Sequence, residues 1–148
     1  MAKNINILVV EPGKAPRPAQ TRDTWDAFRE IVGGPVEAGC YLPQKVMLVY
    51  NSEGKRMGLR PNRINPPTRD YIAGTFLLCG FEGADLISLT PAQQAEFGAY
   101  FAKPGEFMAV GTGELCFTRG ELAMIACNLW DSMRNGESVV LTKWGEAV

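Results

Sequence analysis

Two kinds of apolar run mark this chain: short unbroken stretches rich in β-branched residues, and stretches whose apolar positions recur at helical spacing. Ile5–Glu11 (INILVVE) alternates little, which predicts a central strand covered on both faces. Pro12–Gln20 carries Pro12, Pro16 and Pro18 and reads as a loop, because proline propagates neither helix nor sheet. Asp23 or Thr24 then caps a helix of about nine residues, with Trp25, Phe28, Ile31 and Val32 on one face and Gly33-Gly34 as its stop. Val36–Tyr41 and Val46–Tyr50 read as strands joined at Leu42–Lys45. Asn51–Gly54 suits a hairpin turn with Gly54 at positive φ, and Arg56–Leu59 as a short return strand. Tyr71–Gly80 is the second long β-type run, with Gly74 marking a bulge or close approach.

The C-terminal half turns helical. Thr90-Pro91-Ala92-Gln93 is a capping box with proline at the first helical position, opening a helix to about Phe101 with a stripe of Phe97, Tyr100 and Phe101. Thr118–Glu121 is a second capping box, opening a helix to about Arg134 that carries Leu122, Ile125, Ala126 and Leu129 at helical spacing. Phe107–Val110, Leu115–Phe117 and Val139–Thr142 read as short strands. The sum is an α+β fold, a mixed and mostly antiparallel sheet with about three helices packed on it, in a single domain spanning 1–148.

Composition removes chemistries more than it adds them. With no histidine in 148 residues, Ser-His-Asp, Cys-His and His-base mechanisms are excluded. Cys40, Cys79, Cys116 and Cys127 never form a CxxC pair, so they read as buried reduced thiols, and no metal or cofactor is expected. A net charge of −1 supplies no global field for nucleic acid, which makes that partner unlikely on composition. The N-terminal apolar run is too short for a membrane span or a signal core, so the expectation is a cytoplasmic protein with no membrane partner.

One stretch stands apart. Between Glu53 and Asp70 there is no carboxylate, while Arg56, Arg60, Arg63 and Arg69 stand among Pro61, Pro66 and Pro67. Guanidinium forks match phosphate and carboxylate, and prolines lower the ordering cost of binding. Arg60, Asn62, Arg63 and Arg69 are therefore the candidate ligand-binding residues for a small anionic molecule. The alternative is a solvated loop whose arginines pair with surface carboxylates, Asp70 holding Arg63 or Arg69. No Walker A and no GxGxxG is present, and Gly111-Thr112-Gly113 reads as a hairpin turn. Glu11 and Asp70 are the carboxylates that could form a catalytic pair, but no catalytic residue follows from the sequence.

The segments Ile7–Pro16, Trp25–Gly34, Asn51–Arg63, Ile72–Phe76 and Ser88–Gln93 together resemble an uncharacterised family, domain of unknown function 3846. The resemblance covers about residues 5–107, with the glycines, Asn62 and Arg63 as its most specific marks; residues 108–148 stand as a C-terminal elaboration. It implies an accessory protein of a phage or mobile element and supplies no activity. The expectation is thus a non-catalytic binding protein that sequesters a small anionic, nucleotide-like ligand or a host protein, with homo-oligomerisation through exposed strand edges as a further candidate. The alternative is a histidine-free, carboxylate-dependent enzyme acting on a phosphodiester or glycosidic bond.

Overall fold

The central strands are apolar on both sides because a separate layer covers each side. The fold is taken from a computed structural model, described for residues 2–104 and, by backbone alone, for 107–110, 115–118 and 141–143, as well as for Gly39 and Cys40. The chain divides into two compact units, Met1–Pro104 and Gly105–Val148.

In the first unit, β1 (Asn4–Val10), β2 (Arg17–Arg22), β3 (Val36–Leu42), β4 (Val46–Asn51) and β7 (Phe76–Glu82) form a sheet in the order β2-β1-β7-β4-β3. A short strand β8 (Asp85–Ile87) folds back on the end of β7. Every described pairing is antiparallel. The period-2 alternation of a strand sorts its side chains between two cores. Leu8, Val10, Val46, Leu48, Phe76 and Leu78 join Phe97 and Phe101 of helix α2 (Pro91–Tyr100) and its C-cap. Ile7, Val9, Met47, Val49, Leu77 and Cys79 join Phe28 and Val32 of helix α1 (Trp25–Val32) on the other face. A two-stranded hairpin, β5 (Pro61–Ile64) with β6 (Tyr71–Ala73), contributes Ile72 to the α2 side. In the second unit β9 (Phe107–Val110), β10 (Leu115–Thr118) and β11 (Leu141–Lys143) form a sheet in the order β10-β9-β11.

The α+β architecture and the antiparallel sheet follow the expectation, and two helices are seen among the described residues. The body of the third, expected from Thr118 to about Arg134, lies outside them, as do Trp130 and Trp144. The local caps stand where their residues placed them. Thr24 accepts from Ala27 N–H, Gly33 ends α1 at φ 80°, and Thr90 and Gln93 close a reciprocal capping box.

Four details correct the reading. Part of the Pro12–Gln20 loop is strand β2, and Pro18 is tolerated because β2 is an edge strand. Arg56–Leu59 forms turns and no return strand. Tyr71–Gly80 is two strands, broken at Gly74, whose φ of 88° no β-strand continues. Tyr100 points outward, while Phe97 and Phe101 are buried.

Candidate functional site

The basic proline-rich segment folds into the β5–β6 hairpin. Its loop is closed by Asn65 N–H donating to Asp70 O (2.7 Å) and Arg69 N–H donating to Asn65 O (2.8 Å). Arg69 holds the left-handed conformation, at φ 59°. Pro66 and Pro67 occupy the loop start, where a fixed φ is an advantage.

Of the four candidate residues, two face inward. Asn62 is 1% exposed, and its amide donates to Val10 O (2.8 Å) and Gly74 O (2.9 Å). Arg63 is 4% exposed and its guanidinium is fully engaged. Nε donates to Phe101 O (3.1 Å), Nη2 to Lys14 O (2.6 Å) and Phe101 O (2.9 Å), and Nη1 to Asn62 O and Oδ1 (3.3 and 2.8 Å). Burial lowers the Arg63 pKa from its ordinary value. The acceptors are backbone carbonyls and an amide oxygen; among the described residues no carboxylate pairs with Arg63. The other two candidates face outward at opposite ends of the hairpin. The Arg60 guanidinium lies over Gly13, so close that a Cβ there would meet Nη1 at 3.1 Å. Arg69 stands exposed at the tip. The four therefore do not form one cluster.

Asp70 does not anchor an arginine. It pairs with Lys55, whose ammonium also sits 4.3 Å from the centre of the Tyr71 ring. This pair borders a small polar recess of about 170 Å³ between the end of β4 and the hairpin, lined also by Ser52, Thr68, Tyr50 and Tyr71. Sequence reasoning missed Lys55 as its cation. The one signal was local, since Lys55 lies in the Asn51–Leu59 turn that follows β4. Asn51 fixes that turn from inside: its Oδ1 accepts from Glu53 N–H (2.9 Å) and its amide reaches Val32 O (3.3 Å). Gly54 is required there for closeness, not for positive φ, because a Cβ would stand 2.3 Å from Ala73 O.

The two candidate catalytic carboxylates have separate partners. Glu11 accepts from Arg17 (2.9 Å) and faces Lys14 (3.6 Å); the Arg17 hydrogen bond is the main reason its pKa is lowered. Cys79 is buried against α1, and burial pushes its thiol up to about 12, which leaves no thiolate near neutral pH. Among the described residues no group of three or more Asp, Glu, Cys or His is placed to hold a metal ion, and no helix is long and apolar enough to cross a membrane.

No curated protein and no solved structure matches the chain. A family profile does match, over residues 5–102, and its boundaries run from the second residue of β1 past the end of α2, taking in both cores and the hairpin. The chain belongs to the family described as Domain of unknown function (DUF3846).

Proposed function

We propose that the protein is a non-catalytic binding protein that takes a small anionic group into the recess beside the β5–β6 hairpin. One observation carries the reading: a cation, Lys55, lines a concave recess together with Ser52, Thr68, Tyr50 and Tyr71, and the Asn51 hydrogen bonds fix the turn that carries it. Fixing the frame in advance lowers the ordering cost of binding. At about 170 Å³ the recess holds a phosphate- or carboxylate-sized group and not a whole nucleotide, since drug-sized sites run from roughly 300 Å³ upward. The remainder of a larger ligand would extend outward, and exposed Arg69 is the candidate for its second charge. Lys55 must exchange Asp70 for the ligand, an exchange that costs at most about 1 kcal/mol for an exposed pair. The mobile-element setting implied by the family resemblance is part of the same proposal: an accessory factor that sequesters an anionic metabolite or signal.

Thermal-shift titration with inorganic phosphate, nucleoside monophosphates and dicarboxylates tests it, because a ligand selective for the folded state raises the apparent Tm with concentration. The expected pattern is a saturable shift in the wild type, lost in Lys55→Gln and strengthened in Asp70→Asn, which releases the ammonium. Equal shifts in all three proteins would sink the assignment of this recess.

A further inference from the structure

The opposite face of the sheet has an opening that follows from helix length. Helix α1 has eight residues and is about 12 Å long, whereas the seven-residue strands β1 and β7 each run about 23 Å. Among the described residues, one helix of that length does not span this face of the sheet. The part beyond Trp25, the first residue of α1, is lined by aromatic side chains. Tyr41 on β3 is the register partner of Met47, and Phe81 on β7 is the partner of Leu86. Met47, Phe81 and Leu86 belong to the α1-side core, so these positions share one face.

Trp25, Tyr41 and Phe81 line a cleft of about 390 Å³ floored by Met47, with Asp85 on its rim. Trp25 is 42% and Tyr41 60% exposed, an unusual placement for two large rings unless the rings have something to meet. They are held in place: Tyr41 packs on Phe81 at 5.0 Å between ring centres, and Trp25 meets Phe28 edge to face at 5.6 Å. Asp85 makes no ion pair among the described residues, and Lys45 is matched to Glu82 (4.0 Å). Asp85 and Trp25 also border a second recess of about 560 Å³ that contains Asp23 and Lys3. Asp23 accepts from the Lys3 backbone N–H (2.8 Å) and is not joined to its ammonium.

Aromatic rings and a carboxylate without an ion pair among the described residues, around one cleft, are complementary to a bulky organic cation, which a ring quadrupole attracts and apolar neighbours desolvate. We infer that the Trp25–Tyr41–Phe81 cleft is a binding site for an alkylated ammonium group, either a free quaternary amine or a methylated lysine side chain. This site is separate from the anion recess and does not depend on it.

The test titrates full-length protein by calorimetry with choline, with its neutral carbon isostere dimethylbutanol, and with a short peptide carrying trimethyllysine or unmodified lysine. Saturable binding of choline or of the trimethyllysine peptide, with no binding of the isostere, supports the site, and the two arms tell which source it takes. Tyr41→Leu and Asp85→Asn are surface changes that leave the cores intact, and each is expected to weaken that binding about 3- to 10-fold. Binding of dimethylbutanol as strong as that of choline would reduce the cleft to an apolar groove. Absence of saturable binding by any of the cations, or binding unaltered in both variants, would overturn the proposal.

Discussion

Arg63 is a cation that the protein uses as a clamp. Its forks gather the carbonyls of Lys14, Asn62 and Phe101, which belong to the loop after β1, the hairpin and the C-cap of α2. Replacing it by Met leaves those acceptors buried and unmatched, so Arg63→Met is expected to cost roughly 3–5 kcal/mol in denaturant unfolding. Arg63→Lys should recover little, because an ammonium is a point charge and lacks the planar fork. A different residue contributes to the pH dependence of stability on the acid side. The Glu11 pKa is lowered in the folded state, so its stabilising contribution is complete above the ordinary carboxylate range and is lost as pH falls through its folded value. Chemical denaturation of wild type and Glu11→Gln should thus differ near neutrality and converge under acid conditions; a constant gap at all pH values would contradict it. The sequence showed Asn62 and Arg63 as candidates and could not show that they point inward. That depends on partners 38 to 52 residues away, whose approach only the folded topology creates.

Elements were legible in proportion to how local their causes are. The capping residues Thr24, Gly33, Thr90 and Gln93 act within one helical turn, and the strands β4 and β7 follow from unbroken apolar runs, whereas their pairing with each other is set by the folded topology. The β5–β6 hairpin was not legible, because Pro61 and Pro66 argue locally for a loop while pairing with β6 and the Asn62 hydrogen bonds secure a strand. The turn before it makes a sharp prediction. Gly54→Ala places a methyl 2.3 Å from Ala73 O and should destabilise by about 3 kcal/mol or more. Gly98→Ala, within α2 and with open space around the new Cβ, should stabilise by about 0.5–1 kcal/mol. Thermal melts of the two variants check both signs at once.

At the scale of the whole molecule, residues 1–104 form a compact unit, and among the described residues the members of both cores and the partners of Arg63 lie within it. A fragment of residues 1–104 is therefore expected to unfold cooperatively, with dispersed amide resonances; a collapsed or aggregated fragment would show that residues 105–148 complete its stability. The two borders of the main sheet add a consequence for assembly. On β2, Pro18 supplies no N–H to a neighbouring chain, and Arg17 and Arg22 place like charges at either end of the strand. On β3, the register slips between Glu37 and Cys40 and the strand carries no proline. Growth of the sheet by docking another strand is therefore opposed at both borders by different means: proline and like charge on β2, and a bulge that interrupts the ladder on β3.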